Sequence, residues 1–131
     1  MRRWGVIPSI RVGGMAEAPA FYLGPLELKL TGGGEDAANT SVARGDARLM
    51  LETAADFYGD EYNVAIRQRL DCCRGCLSNV EATDVEDFHS RLQAAGAQII
   101  DPLAERPWGQ VEFTVEDHEG NWLAFWKNWQ R

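Results

Sequence analysis

The clearest alternation of apolar and polar positions lies in the last third of the chain. Every second residue from Val111 to Val115 is apolar, which is typical of a half-buried strand. The polar, glycine-containing segment 117–121 predicts a turn. Leu123 and Phe125 alternate with their neighbours in a second strand, so the pattern predicts a β-hairpin. Pro107 is expected at the start of its first strand, because proline cannot donate to a ladder.

The remaining patterns fall into two runs with the same order of elements, a strand, a helix and three strands. The first run is predicted at 6–12, 15–23, 26–30, 39–43 and 47–53, and the second at 76–82, 85–95, 98–101 and the closing hairpin. A short helix at 64–70 is predicted between them. Two tandem βαβββ modules, at about 5–53 and 75–128 with a linker at 54–74, predict a single α+β domain over 1–131. The linker is open to two interpretations, a mobile lid or a simple connection.

The helix of the second run has predicted signals at both ends. Thr83 and Glu86 have the spacing of a capping box, in which each side chain bonds the other's backbone. Gly96 stands where a glycine commonly ends a helix.

The chain resembles the glyoxalase/bleomycin-resistance family of the vicinal-oxygen-chelate superfamily. Segment 106–126 carries its P-W-G turn, its E-F-x-V strand and a D-x-x-G-N turn. Segment 7–12 looks like the family's first strand, 20–22 like its A-F-Y helix and 82–85 like the start of its second half. The resemblance implies a curved mixed sheet around a cleft. The family usually has glycine where Glu27 stands, so that corner is expected to differ.

Composition excludes several classes of function. The 131 residues carry 20 acidic and 13 basic side chains, a net charge of −7, which disfavours nucleic-acid binding. No apolar run approaches a membrane span, and the N-terminus lacks a secretory pattern, so a cytoplasmic protein is expected. Cys72, Cys73 and Cys76 do not form a disulfide framework; reduced thiols are expected, with a zinc half-site or redox pair as the alternative.

Enzymes of the resembled superfamily hold a divalent metal with His and Glu side chains from four strands. The matching positions in this chain are Ile7, Met50, Leu77 and Ala124. None of these suits a hard or borderline divalent ion, so neither a metal nor another cofactor is expected. The two histidines, His89 on a helix and His118 in a turn, are expected at the surface.

The same register divides the strand residues between two faces, because residues two apart share a face. One face is apolar and predicted to pack on the helices: Ile10, Val12, Leu49, Leu51, Val80, Val111, Phe113, Val115, Leu123 and Phe125. The other face, which includes Ser9, is predicted to line the cleft. Its candidate ligand-binding residues, with Trp108 from the P-W-G turn, are Arg11, Arg48, Glu52, Asn79, Glu81, Glu112, Thr114, Trp122 and Trp126.

Three functions compete for this face. Tryptophan rings beside carboxylates suit a cationic or aromatic ligand, so the first is a small-molecule-binding protein of bleomycin-resistance type, which sequesters its ligand in a homodimer cleft without turnover. The second is a superfamily enzyme, a lyase, isomerase or oxygenase, with Glu52, Glu81 or Glu112 as a base. The third is a structural or regulatory module, in which the tryptophans fill a core or a dimer interface and the carboxylates pair with arginines.

Overall fold

The computed structural model describes residues 7–54, 59–73 and 77–128. Within these residues the chain forms eight strands and three helices, a βαβββ module, a helix and a second βαβββ module. The strands are β1 (Ser9–Arg11), β2 (Lys29–Gly32), β3 (Asn39–Arg44), β4 (Ala47–Glu52), β5 (Leu77–Glu81), β6 (Gln98–Arg106), β7 (Gln110–Glu116) and β8 (Trp122–Asn128). The helices are α1 (Glu17–Leu23), α2 (Asp60–Cys73) and α3 (Val85–Ala94).

Each module forms one four-stranded mixed sheet. The strand orders, β1-β4-β3-β2 and β5-β8-β7-β6, are the same in both modules, and the first strand of each module pairs in parallel with its last. The registers also correspond, since Ser9 lies opposite Met50 and Asn79 lies opposite Ala124. The predicted α+β fold with an internal βαβββ repeat is therefore confirmed, as two sheets of four strands.

The apolar face of both sheets packs into one hydrophobic core. All ten residues predicted for this face are buried, so the predicted register is confirmed. Phe88 of α3 contributes a ring that lies edge-on to Phe125, with 4.8 Å between the ring centroids. Truncating such a buried ring typically costs about 3–5 kcal/mol, which makes this contact a main support of the second module.

The β7–β8 turn joins the two modules through a buried carboxylate. Asp117 Oδ1 accepts the backbone N–H groups of Glu119 and Asn121, both at 2.8 Å, which explains why the D-x-x-G-N segment turns. Its Oδ2 accepts the Tyr22 hydroxyl of α1 at 2.7 Å and the Asn121 side-chain amide at 3.0 Å. Glu119 also accepts the Gly13 N–H, at 2.7 and 2.9 Å, so both contacts tie the second module to the first.

A second junction is the inter-module ion-pair cluster, formed by Glu27, Arg44, Asp84 and Arg91. Arg91 donates to Glu27 at 2.6 and 2.9 Å and to Asp84 at 2.7 Å. Arg44 donates to Asp84 at 3.0 Å, and its guanidinium lies 4.2 Å from the centroid of the Phe88 ring. Burial acts to raise the pKa of Asp84, but the hydrogen bonds from Arg91 and Arg44 outweigh it and hold that pKa below 3.8.

The predicted second strand is wrong in position. Leu26 and Leu28 are buried, but they precede β2 and belong to a connection that folds back on α1. The Leu28 N–H donates to the carbonyl of Tyr22 at 3.0 Å. The alternation at 26–28 therefore reflects burial without a ladder, and the ladder begins only at Lys29. Glu27 lies between the two leucines with φ of 60°, a backbone conformation that glycine adopts freely and other residues rarely do.

Other boundaries also differ from those predicted from sequence. The capping box does not form, because α3 begins at Val85 and the Asp84 carboxylate that precedes it binds arginines. Gly96, with φ of 76°, confirms the predicted end of that helix. The β6 strand extends to Arg106 with two register shifts, which leaves Pro107 in the turn between β6 and β7. The short helix predicted in the linker is longer, from Asp60 to Cys73.

Candidate functional site

The face of each sheet opposite the core, here called its open face, carries nine of the ten predicted ligand-binding residues. The tenth, Trp108, lies in the β6–β7 turn. The structure separates them by sheet. Arg11, Arg48 and Glu52 lie on the first sheet, and Asn79, Glu81, Glu112, Thr114, Trp122 and Trp126 on the second.

The ladders of the second sheet arrange its open face in rows across the strands. Glu112 lies opposite Trp126, which lies opposite Glu81. The next row contains Asp101, Thr114, Ala124 and Asn79, so its side chains on the two central strands, Thr114 and Ala124, are small. A third row places Glu116 opposite Trp122. Bulky aromatic and acidic rows therefore flank a row of small side chains.

Two exposed indoles are each held by a carboxylate of β7. Trp108, 66% exposed, donates its Nε1–H to Glu112 at 3.1 Å, and Trp122, 41% exposed, donates its Nε1–H to Glu116 at 3.0 Å. Each hydrogen bond satisfies the indole donor and restrains the ring, while the carboxylate places negative charge beside it. Such a pair suits a positively charged group, which is attracted both by the ring face and by the carboxylate.

Glu116 belongs to this candidate site although it was not among the predicted residues. The signal was present, because Glu116 continues the alternation of Glu112 and Thr114 on the same strand. Asp101 and Arg106 of β6 were also missed. They form an ion pair on the same face, and Arg106 Nε lies 3.7 Å from Glu112. Irregular pairing along β6 hides this position from a strict period of two.

The open face of the first sheet has the opposite charge. Its ladders place three basic side chains and one carboxylate on this face: Lys29, Arg11, Arg48 and Glu52. The ladders of the second sheet place one basic side chain and four carboxylates on its open face: Arg106, Glu81, Asp101, Glu112 and Glu116. The tryptophans therefore share a face with the excess of acids, and only the tertiary structure shows this separation.

Arg11 is the least accessible of the predicted ligand-binding residues on the first sheet. It is 8% exposed, and its guanidinium donates to the side-chain oxygen of Asn63 in α2 at 3.4 Å. The helix of the linker therefore contributes to the cover of this end of the sheet. Arg48 and Glu52 are half-buried. The Trp108 and Trp122 rings of the second sheet are therefore more accessible to solvent than the Arg11 side chain.

Residues 6–125 match the model of the Glyoxalase/Bleomycin resistance protein/Dioxygenase superfamily. The chain belongs to this superfamily. No curated protein matches the sequence. Among solved structures, TioX from Micromonospora sp. ML1 is 20% identical with a TM-score of 0.67, over 95% of this chain and 99% of that one.

Two further structures share this superfamily fold. The bleomycin-binding protein from bleomycin-producing Streptomyces verticillus, complexed with copper(II)-bleomycin, is 21% identical with a TM-score of 0.65, over 100% of this chain and 99% of that one. A glyoxalase/bleomycin resistance protein from Streptomyces sp. CB03234 is 19% identical with a TM-score of 0.69, over 92% and 97%. Identities at this level show a common fold.

The donors of this chain do not fit the divalent metal of the superfamily's enzymes. Ile7, Met50, Leu77 and Ala124 stand at the four positions that the resemblance assigns to the ligands, and none offers an oxygen or nitrogen side-chain donor. Met50 and Ala124 occupy equivalent ladder positions in the two modules, which supports this assignment. Within the described ranges, no group of three His, Cys, Asp or Glu side chains could hold an ion.

The two histidines lie away from the open faces. The surface prediction for His89 is wrong, because this residue is 8% exposed on the core side of α3 and its ring lies 5.0 Å from that of Phe113. His118 is exposed in the β7–β8 turn, near Phe21. Cys72 and Cys73 are the last residues of α2, while Cys76 lies outside the described residues. No helix in the described segments is long and apolar enough to cross a membrane.

Proposed function

We propose that this protein binds a cationic or aromatic small molecule on the open face of its second sheet and does not turn it over. The observation that carries the proposal is the pair of exposed indoles, Trp108 and Trp122, each hydrogen-bonded to a carboxylate of the same sheet. A protein core would bury such rings, whereas these are 66% and 41% exposed. Exposed tryptophans with restrained rings and nearby negative charge favour a binding surface.

Cation–π contacts with the rings of this face can supply part of the free energy needed for micromolar affinity. One cation over an aromatic ring contributes about 0.5–2 kcal/mol, with the larger value where water is excluded. Micromolar binding needs about 8 kcal/mol, so several such contacts must act together with stacking and burial of the ligand. Trp126, half-buried and opposite Glu112, supplies a further ring on the same row.

Binding without turnover is favoured by the residues at the metal positions of the superfamily. Ile7, Met50, Leu77 and Ala124 cannot supply the metal chemistry of its enzymes. The bleomycin-binding protein of Streptomyces verticillus, of the same fold, has a structure with copper(II)-bleomycin. Copper(II)-bleomycin is therefore the first large ligand to test with this protein.

A homodimer is the second part of the proposal. The basic open face of the first sheet and the acidic open face of the second sheet are complementary in charge. A two-fold axis would place the first sheet of one copy against the second sheet of the other and form two equivalent clefts. Exposed Leu30 and Ile100, on the edge strands β2 and β6, favour a cover over those edges. Sedimentation at micromolar concentration should show a dimer, and a monomer would contradict this part.

Titration calorimetry with two small probes tests the binding proposal. Benzyltrimethylammonium should bind more tightly than benzenesulfonate, which has a similar ring and the opposite charge. Trp108→Ala should weaken binding of the cation about tenfold, which corresponds to 1.4 kcal/mol. Gln93→Ala, an exposed change on α3, is the control and should leave affinity unchanged.

Two results would contradict the proposal. Tighter binding of the sulfonate would show that the acidic face is not the binding surface. Unchanged affinity in both Trp108→Ala and Trp126→Ala would show that the rings have a structural role instead.

A further inference from the structure

The two indole–carboxylate pairs lie at a defined distance from each other along one strand. Glu112 and Glu116 both point to the open face of β7 and are four residues apart. A strand rises by about 3.4 Å per residue, so their backbone positions are separated by roughly 13 Å. Trp108 accompanies the first carboxylate and Trp122 the second, so each end of this span has one restrained ring.

The surface between the two pairs is low. Thr114 lies midway along β7, and its ladder partner on β8 is Ala124. Neither side chain is long enough to rise to the height of the flanking tryptophans. An extended chain of methylene groups could therefore lie along β7, across this row, and contact both ends at once.

Negative charge is in excess at both ends. In the row of Glu112, the carboxylate of Glu81 also lies on the open face, and the single guanidinium nearby is that of Arg106, 3.7 Å from Glu112. At the other end, the ladder partners of Glu116 are Gln98 and Trp122, and neither carries a charge. The middle row has one carboxylate, Asp101 opposite Thr114, and this is neutralised by its ion pair with Arg106. Each end therefore attracts a positive group more strongly than the middle does.

From this spacing we infer that the ligand is an elongated dication, with its two positive groups about 13 Å apart and a slender apolar chain between them. Each positive group would lie against one indole and its carboxylate. This inference rests on the proposed function, because it names the class of cation that the same face selects. A ligand that engages both ends gains from a high effective concentration at the second end, but only where its length matches the span.

The experiment uses a series of bis(trimethylammonium)alkanes whose charges are held about 6, 13 and 19 Å apart when extended. An alkyltrimethylammonium with the same chain as the middle compound is the matched control, since it has the same apolar chain and one charge. Calorimetry should show that the middle dication binds at least tenfold more tightly than the monocation and than either other dication.

Variants assign that gain to the two ends. Glu112→Gln and Glu116→Gln should each reduce the affinity of the middle dication to about that of the monocation. Glu105→Gln is the control, because Glu105 is an exposed carboxylate of β6 in register with Val111 of the core face, and it should have no effect. Circular dichroism of each variant checks that the fold is retained.

The outcomes separate this inference from the proposed function. If the monocation binds as tightly as every dication, or if affinity does not depend on length, the dication inference is wrong while cation binding stands. If neither class of cation binds, both are wrong. A maximum at the middle length that either glutamine variant abolishes supports both.

Discussion

Removal of one hydroxyl group, in Tyr22→Phe, tests the contact that joins the two modules. The Tyr22 side chain is fully buried, and its hydroxyl donates to Asp117 Oδ2 at 2.7 Å. A hydrogen bond to a charged group contributes about 1.5–3 kcal/mol, and the variant leaves a buried oxygen with one donor fewer. Asp117 keeps its bonds from Glu119 and Asn121, so we expect a loss near the middle of that range, about 2 kcal/mol.

Urea unfolding followed by fluorescence measures this loss. For a slope of about 1.5 kcal/mol per molar urea, a loss of about 2 kcal/mol lowers the midpoint by more than 1 M. Tyr62→Phe is the matched control, because Tyr62 is 47% exposed, and its midpoint should change little. An unchanged slope would show that the variant alters stability and not the compactness of either state.

A double-mutant cycle identifies the source of the effect. In the background of Asp117→Ala the hydroxyl has lost its acceptor, so adding Tyr22→Phe should cost far less than it does in the natural protein. Equal costs in the two backgrounds, or a shift of the midpoint no larger than that of Tyr62→Phe, would refute the assignment.

Three further predictions concern the inter-module ion-pair cluster and the metal positions. Because the pKa of Asp84 is lowered, its contribution to the free energy of unfolding is complete above the ordinary pKa of 3.8 and is lost as pH falls below it. Urea midpoints should therefore decline more steeply on acidification in the natural protein than in Asp84→Asn. Equal declines in the two proteins would contradict this. Both Glu27→Gly and Glu27→Ala lose the hydrogen bonds from Arg91, but only glycine adopts φ of 60° without strain. The glycine variant should therefore be more stable than the alanine variant by about 1 kcal/mol in urea unfolding. A more stable alanine variant would contradict the backbone strain at this position. After exposure to zinc, nickel, manganese or iron(II) and dialysis, elemental analysis should find no stoichiometric ion; one equivalent that survives mutation of all three cysteines would contradict the assignment of the ligand positions.

The sequence alone determined which residues of β1, β4, β5, β7 and β8 face the core. Alternation of side chains follows from the pleat, so the apolar set that includes Leu51 and Phe113 could be assigned to the core without knowledge of distant contacts. The family resemblance assigned Met50 and Ala124 to metal-ligand positions, and the ladders place the two residues equivalently in the two modules. The hairpin, its turn and the repeat of elements were predictable for the same reason.

Only the tertiary structure decided which charged and polar groups meet. Asp84 binds Arg44, 40 residues away in sequence, and Glu27 binds Arg91, 64 residues away. A local pattern predicted a capping box beside Asp84 and a strand through Glu27, but these long-range partners accompany a different local structure at both positions. The separation of acids with tryptophans on one sheet from bases on the other depends likewise on how the modules form. Burial alternates with the backbone and can be read locally, whereas ion pairs depend on distances that the chain sets only when it folds.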